Sequence, residues 1–565
     1  MYRGALASNV KTFDPTQAGD LYSNICQQLI YETLYQYKYL TRPYDIEPSL
    51  AEALPTISDS GRIYIIPIKH GIHFTDDPCF PQGKGREMKA QDFIYAVKRL
   101  ADVRNKSTGW WIFDGKIVGL DAFHEETQKL PPLPEQLYPK LYDKTIEGIR
   151  TLDDYTIRIQ LTKPYPYFKY ILAMPYNALL PREAVEYYGE EFLNHPVGTG
   201  PYRLSEWRHG LRLIFDRNPD YHHGFYPNEG EASDSVQGLL ADAGKPLPFI
   251  DRIELNIFEE SQPMWLNFLN GNLERSSIPK DNYAQAITPQ KNLRDDYGKK
   301  GIQLIQGDDL DLTYVLFNFE DPIVGKNKKL RQAMSLATDV EDLIDLFYNG
   351  CATRAQSPIP PGLFGYEATY KKPYGHFNLA EAKQKLAEAG YPNGKGLPAL
   401  EYMIPASTNS RQGAEHFAKD MAKIGIQIKV ASYTWPEFLT RLKKKTCQLA
   451  GSAWGADYPD PENFLQLLYG PNEAPGENNA NYKNATYDSL YRDIAIMQDT
   501  PERLIKIKKM EAIIGEDCPW ILETHRLREY LNYSWLKNHK PNAVEEMPLK
   551  YYKIDQALRQ KFLVN

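Results

Sequence analysis

The sequence lacks most of the features that mark an enzyme or a metalloprotein. His-Glu-x-x-His, Gly-x-Ser-x-Gly and the Walker phosphate loop are all missing. The 5 cysteines lie far apart and form no Cys-x-x-Cys pair, so metal-site spacing is absent and a disulfide framework is not expected. We therefore expect no catalytic residues, no metal and no cofactor.

Long hydrophobic runs and an excess of positive charge are also missing. No stretch approaches ~18 consecutive apolar residues, so we expect no membrane span. The first residues, Met1-Tyr2-Arg3, run directly into strand-like sequence, and we expect this chain to carry no leader peptide. Lys and Arg total 66 against 73 Asp and Glu, for a net charge of −7, which argues against nucleic acid as a partner.

The chain has ample length and many tyrosines. Its 565 residues exceed the ~250–300 at which a single hydrophobic core stops growing, so two or three lobes are expected. Tyrosine numbers 40. Such a content is typical of adaptable binding surfaces, because the tyrosine ring offers a large contact area and loses little conformational entropy when it is fixed. A compositional habit of the source proteome explains it equally well.

The hydrophobic pattern changes along the chain. Residues 154–161 alternate between apolar and polar, which predicts a half-buried strand. Beyond about residue 275 the pattern becomes α/β, with helices predicted over 327–337 and 411–424 and a strand over 399–404. The last stretch resembles a return to the first lobe, so we expect a discontinuous first domain.

Asp457 and Asp460, in the segment Trp454-Gly-Ala-Asp-Tyr-Pro-Asp-Pro461, are the best carboxylate pair. A glycosidase needs two carboxyl groups ~5–9.5 Å apart, and a proline-broken turn fixes no such geometry. We expect Asp460 to be the N-cap of a helix that begins near Glu462, with Pro461 at its first position. Asp457 is then left without a structural role, and the aromatic residues beside it indicate a site for a cationic group.

Eight stretches in order resemble the family 5 bacterial extracellular solute-binding proteins, whose reference members bind oligopeptides and dipeptides. These stretches are FDPT at 13–16, IYIIPIKHGIHFTDD at 63–77, KAQDFIYAVKRLAD at 89–102, PVGTGPYRLSEW at 196–207, DRNPDY at 216–221, LFNFEDP with LRQAMSLATDVEDLI across 316–344, LAEAKQKLAEAGYPNGKG at 379–396 and GSAWGADYPDPENFL at 451–465.

The resemblance implies an α/β, bilobal, periplasmic-binding-protein-like fold of type II (three domains, cluster C) that closes over an extended ligand. The implied domains are 1–50 with 190–275 and 506–565 as a discontinuous lobe I domain, 51–189 as its accessory domain, and 276–505 as the ligand-binding lobe II. The implied function is capture of short peptides, as a periplasmic or surface-tethered monomer, for a membrane permease coupled to an ATPase.

The resemblance also implies a binding site. In the peptide-binding members the ligand's ammonium meets an acid in a Trp-x-x-Asp segment, which here is Trp454 to Asp457. The neighbouring strand is expected to pair with the ligand backbone through Ser452, Ala453 and Gly455. The first lobe is expected to face it with a strand at Ala18, Gly19 and Asp20.

Three aromatic positions and one arginine complete the implied site. Trp435 matches a tryptophan that lines the cleft, and Trp110 or Trp111 falls where the second lobe offers an aromatic side chain. Some oligopeptide binders place a carboxylate-pairing arginine three residues before the tryptophan, where this chain has Gly451. Arg411 lies near another position used for the ligand's carboxylate, and a solvated residue at a helix start is its alternative role.

Two alternatives stay open at this stage. The same fold could bind an oligosaccharide, an opine, a metal chelate or haem, since tyrosine and tryptophan suit sugar stacking and Gly451 weakens the case for a peptide. A peptide or glycoside hydrolase would need a nucleophile with its base, or two well-spaced acids, and neither constellation is evident.

Overall fold

The computed structural model describes residues 1–131, 139–222, 224–545 and 547–563. The strands are β1 Tyr2–Leu6, β2 Tyr35–Tyr37, β3 Ile46–Pro48, β4 Thr56–Ser58, β5 Ile63–Pro67, β6 Ile149–Asp153, β7 Thr156–Gln160, β8 Tyr202–Arg208, β9 Arg212–Arg217, β10 Arg252–Ile257, β11 Arg275–Ser277, β12 Ile302–Asp308, β13 Asp311–Phe317, β14 Ala352–Arg354, β15 Leu400–Pro405, β16 Ile428–Tyr433, β17 Leu449–Gly455, β18 Trp520–Leu522, β19 Thr524–Tyr533, β20 Leu536–Lys537 and β21 Lys553–Ile554.

The helices are α1 Leu21–Gln27, α2 Ala90–Ala101, α3 Leu120–Gln128, α4 Pro139–Tyr142, α5 Phe168–Ile171, α6 Arg182–Tyr188, α7 Ala232–Val236, α8 Ser261–Leu269, α9 Tyr283–Ala286, α10 Asp295–Lys299, α11 Lys328–Ala337, α12 Val340–Tyr348, α13 Leu379–Glu388, α14 Thr408–Ala422, α15 Trp435–Lys443, α16 Glu462–Leu465, α17 Ala485–Ile494, α18 Pro501–Asp517 and α19 Gln556–Leu563.

The chain divides into two compact units. Unit 1 comprises residues 1–276, 295–303 and 531–565, and unit 2 comprises 277–294 and 304–530. Three of the four positions at which the chain passes from one unit to the other lie within strands β11, β12 and β19. Both units are therefore discontinuous in sequence.

Unit 1 contains two separate four-stranded sheets. The first has the order β1-β10-β9-β8, in which β1 and β10 run parallel although they are about 250 residues apart in sequence. The second has the order β4-β5-β7-β6 and is antiparallel throughout. Helix α2 packs beside β6, and its Arg99 forms a buried ion pair with Asp14 at 2.9 Å. This pair links α2 to the loop that contains Asp14.

Unit 2 is built on a five-stranded sheet with the order β16-β15-β17-β13-β18. Strands β15, β16 and β17 are parallel where they pair, and β13 runs antiparallel to β17 and β18. Apolar side chains of α11, α13 and α14 pack on one face of this sheet, among them Leu330, Leu386 and Phe417. The hydrophobic periodicity found in the sequence predicted this α/β character and most of these elements.

The return to unit 1 comes at residue 531, whereas the sequence predicted it at 506. The reason lies in α18 and β18. Helix α18 packs against α17 and α11, and β18 pairs with β13 inside the sheet of unit 2. A helix and a strand that complete the second unit were thus mistaken for the start of the return.

Among the described residues, no helix is both long enough and apolar enough to cross a membrane. The cysteines are all free thiols.

Candidate functional site

Strand β17 leaves part of one edge open. It pairs with β13 along its whole length, from Leu449 to Gly455. On its other side β15 pairs with it at two positions only, opposite Leu449 and Ala450. Within the described part of the chain, the edge from Gly451 to Gly455 therefore carries no strand pairing with β15.

The pairing with β13 decides which backbone groups face the open edge. The amide of Ala456 donates to the carbonyl of Leu310 at 2.8 Å, and the amide of Asn318 donates to the carbonyl of Gln448 at 3.0 Å. Backbone direction alternates along an antiparallel strand, so the even-numbered residues of β17 face β13. The odd-numbered residues 451, 453 and 455 consequently direct their N–H and C=O groups towards the open edge.

This alternation refines the sequence prediction for the backbone donors and acceptors. Ala453 and Gly455 face the open edge, as does Gly451, which was not included among the pairing residues. Ser452 directs its backbone groups to β13, where it stands opposite Tyr314. The residues at the open edge are the smallest available, so another chain could approach closely.

Asp457 follows β17 directly and is held by Asn463 of α16. The Asn463 Nδ2 donates to the Asp457 carboxylate at 3.0 Å, and the Asp457 amide donates to Asn463 Oδ1 at 3.0 Å. The same Oδ1 accepts a bond from Trp454 Nε1 at 3.0 Å. One fully buried amide side chain therefore fixes both ends of the Trp-x-x-Asp segment.

The Asp457 carboxyl lies in an unusual electrostatic setting. Its pKa is raised to about 7, chiefly by burial, with a smaller upward contribution from the acids Glu477 and Glu462 and an opposing one from the hydrogen bond of Asn463. A cation placed beside this carboxylate would relieve both the desolvation and the repulsion. Such a group is typical of a binding site for a positive charge.

Asp460 has a structural role that differs in part from the prediction. Helix α16 begins at Glu462 as expected, but Pro461 is its N-cap rather than its first residue. The Asp460 carboxylate accepts a bond from the Glu462 amide at 2.8 Å. It also forms a two-pronged ion pair with Arg503 of α18, at 2.6 and 2.9 Å, and both side chains are buried.

The two other site residues predicted in unit 2 lie on helices. Trp435 is the first residue of α15, is partly exposed, and stacks on Phe438 with 5.7 Å between the ring centroids. Its Nε1 is buried and has no hydrogen-bond partner among the described residues. Arg411 is exposed in the first turns of α14, where its amide donates to the Ser407 carbonyl at 3.1 Å. Its guanidinium forms no ion pair with any described residue, so its predicted role stays a prediction.

In unit 1 the predicted strand at residues 18–20 is a loop. Asp20 is the N-cap of α1 and accepts bonds from the amides of Tyr22 and Ser23 at 3.1 and 3.0 Å. Because this cap commits the following residues to a helix, no strand forms here. Ala18 is buried, while Gly19 is exposed and extends the same loop.

The loop at residues 18–20 lies beside Thr108, which shortly precedes Trp110 and Trp111 in sequence. An ideal Cβ on Gly19 would lie 2.9 Å from Thr108 Oγ1, and the Thr108 amide donates to the Thr16 carbonyl at 2.9 Å. Trp110 stacks on His124 at 4.2 Å, and Trp111 is partly exposed. Both tryptophans belong to unit 1, so the expectation that the second lobe supplies them is wrong.

The family model described as bacterial extracellular solute-binding proteins, family 5, matches residues 45–476 of the chain. The chain belongs to this family.

Relatives within family 5 resemble the chain along most of its length. The heme-binding protein A of Haemophilus influenzae is 26% identical over 516 residues, covering 89% of this chain and 82% of that protein. The dipeptide-binding protein of Escherichia coli K12 is 24% identical over 506 residues, covering 88% and 83%.

Solved structures show that the fold of the family is present. The periplasmic binding protein DppA of Helicobacter pylori, solved with the peptide STSA, has a TM-score of 0.78 and 25% identity, covering 98% of this chain and 97% of that one. An oligopeptide-binding protein of Borrelia burgdorferi has a TM-score of 0.80 at 20% identity. The chain therefore has the type II periplasmic-binding-protein fold.

Sequence reasoning missed two residues that organise this family 5 site. Asn463 was not singled out, although an amide residue six positions after an unexplained aspartate, at the start of a helix, is a usable signal. Arg503 lies 43 positions beyond Asp460 in sequence and gave no local signal. Long-range partners of this kind emerge only from the packing of α18.

Proposed function

We propose that this protein binds short peptides in an extended conformation and delivers them to an ABC importer. The observation that carries the proposal is the open edge of β17, which ends beside Asp457. An extended peptide needs hydrogen-bond partners along its backbone, and an open strand edge supplies them without regard to side-chain identity. The proposal therefore predicts that peptides of different side chains bind at this edge.

The position of Asp457 gives the peptide a direction. A free ammonium at Asp457 places the first ligand residue at the Gly455 end of the strand. The ligand chain then runs towards Gly451, antiparallel to β17. The groups of Gly455, Ala453 and Gly451 are spaced to pair with alternate ligand residues.

The remaining parts of the proposal follow from family 5 as a group of solute-binding proteins. The protein acts in the periplasm or tethered at the cell surface, as a monomer, and hands its ligand to a membrane permease driven by an ATPase. It catalyses no reaction. Trp435, Arg411, Trp110 and the 18–20 loop are further candidate contacts, and Arg411 is the candidate partner of a ligand carboxylate.

Mass spectrometry of the molecules released on denaturation of the purified protein tests the proposal. We expect a ladder of short peptides from the wild type and their loss from Asp457→Asn. Truncating one partner of a buried charge pair costs about 2–5 kcal/mol, which is about 30- to 5,000-fold in Kd. Asp281→Asn, which neutralises an acid of unit 2 that is 69% exposed, is the matched control and should retain the peptides. A single non-peptide ligand kept by Asp457→Asn would contradict the proposal.

Haem is the second candidate ligand, because one relative is named a heme-binding protein. Adding haemin to the ligand-free protein and recording the visible spectrum decides between the two. A sharp Soret band with one-to-one stoichiometry would favour haem. We expect only the spectrum of free haemin, together with tight binding of an alanine tripeptide by calorimetry.

A further inference from the structure

A second acid, Glu523, lies on the same sheet as the open edge. It joins β18 to β19, and its amide donates to the Thr313 carbonyl at 2.9 Å. This bond extends the register of β18 on β13 by one residue, so Glu523 stands opposite Thr313. Thr313 in turn stands opposite Ala453 of β17. Residues that are paired across strands point to the same face, so these three side chains share one face of the sheet.

Two tyrosine side chains complete the surroundings of Glu523. Tyr402 of β15 pairs with Leu449, which places its side chain on the same face as Ala453. Burial raises the pKa of Tyr402 well above its usual value, and the charges of Glu523 and Tyr348 raise it further. Tyr348, at the end of α12, is likewise influenced by Glu523. The charge of Glu523 therefore acts on both phenol groups, and strand register places Tyr402 on the same face of the sheet as Glu523.

The floor between these groups is formed by very small residues. An ideal Cβ on Gly451 would lie 2.6 Å from the Tyr402 hydroxyl, so no side chain fits there while Tyr402 keeps its place. Ala453 is exposed on this face, and nothing lies within 4 Å of a Cβ built on Gly455. Space is thus left over the open edge on the face that Glu523 shares, and Glu523 itself lies across β17 and β13 from that edge.

The Glu523 carboxyl forms no ion pair with any described residue. The nearest arginine in sequence, Arg526, is held by the Asp311 carboxylate. Burial raises the pKa of Glu523 to about 7, and hydrogen bonding by Thr313 opposes this only in part. A buried acid that gains no cation from its own chain is stabilised when a ligand brings one.

We propose that Glu523, with the hydroxyl groups of Tyr402 and Tyr348, forms a subsite for a basic side chain of the ligand. The proposal rests on the proposed function and assigns the ligand position. With the ammonium at Asp457 and residue 1 opposite Gly455, residue 3 lies opposite Ala453. Side chains alternate, so residue 3 points to the face of Glu523 and residue 2 to the opposite face.

Calorimetry with two tetrapeptides of equal charge tests the subsite. Ala-Ala-Lys-Ala carries its lysine at residue 3, and Ala-Lys-Ala-Ala carries it at residue 2. We expect the first to bind the wild type at least about tenfold more tightly, as is typical of a close charge pair. Glu523→Gln should abolish this difference, while Glu529→Gln on β19 is the matched control and should preserve it. Ala-Ala-Glu-Ala should bind the wild type most weakly and recover in Glu523→Gln.

The outcomes separate the subsite from the proposed function. Equal affinity of the two lysine peptides for the wild type, or a preference that persists in Glu523→Gln, would overturn the subsite and leave peptide binding intact. Sequencing the co-purified peptides gives a second measurement, in which lysine and arginine should be enriched at residue 3 and lose that enrichment in Glu523→Gln. If the wild type bound and released no peptide at all, the proposed function would fail and the subsite with it.

Discussion

Asp457 and Asp460 lie three residues apart in one turn, yet their surroundings differ in a decisive way. Asp460 is 1% exposed and is clamped by the guanidinium of Arg503 in two hydrogen bonds. Asp457 is partly exposed and is oriented by Asn463, a neutral amide. The charged groups that shift its pKa are both acids.

The difference supports the proposal that one segment provides both a structural acid, Asp460, and a binding acid, Asp457. The Asp460–Arg503 pair joins the turn to α18, so the turn cannot move without exposing or separating two buried charges. Asn463 then aims the Asp457 carboxylate without neutralising it. The Asp460–Arg503 pair thereby fixes the turn that carries Asp457. A preorganised site requires its binding groups to be fixed in this way before the ligand arrives.

The largest expected effect is a loss of stability when the Asp460–Arg503 ion pair is broken. Arg503→Met removes the cation and leaves Asp460 buried without it, which should lower the free energy of unfolding by about 3–5 kcal/mol. Asp457→Asn should change it by less than about 1 kcal/mol, because the partly exposed amide can still bond with Asn463. Urea denaturation of the ligand-free proteins measures both. Equal losses in the two variants would mean that both acids are structural.

A smaller effect is expected from replacing Asn463, whose side chain hydrogen-bonds with Asp457 and Trp454. Asn463→Ala leaves the Asp457 amide and the Trp454 indole N–H without their acceptor, at a cost of about 1–3 kcal/mol in stability. Peptide affinity should fall as well, because Asp457 loses its orientation. Asn463→Asp keeps an acceptor but removes the donor to Asp457 and buries a like charge beside it, so it should restore neither stability nor affinity at neutral pH. If Asn463→Ala matched the wild type in tryptophan fluorescence and in peptide affinity, Asn463 would not position this site.

Local signals in the sequence were sufficient to predict the α/β character of unit 2. The role of Asp457 as a binding residue was inferred from local signals too and stays a prediction. Hydrophobic periodicity marks the helices and strands, and an aspartate beside Trp454 without a local role marks a site. The strand at Ala18–Asp20 was expected from the family resemblance, whereas in the structure Asp20 caps α1 and the segment is a loop. The ion pair of Arg503 and the proposed subsite at Glu523 were not found, since both depend on the packing of α18 and the pairing of β18 with elements far away in sequence.

The smallest expected effect is on the pH dependence of peptide affinity. Burial raises the pKa of Asp457 to about 7, and the ligand's ammonium prefers the ionised carboxylate, so a proton on Asp457 competes with the ligand. Affinity should therefore fall as the pH is lowered through 7, by about three- to fivefold between pH 8 and pH 6, because the ligand's α-amine, with an ordinary pKa of about 7.7–8.0, is already partly deprotonated at pH 8. An alanine tripeptide isolates this effect, because it places no basic side chain at Glu523 and its own amine stays protonated at the lower pH. Asp457→Asn should bind weakly and lose this fall in affinity, because its side-chain amide does not titrate in this range. If a steep pH dependence survived in Asp457→Asn, another group would be the one that titrates. Asp457 would then not differ from Asp460 as a binding acid.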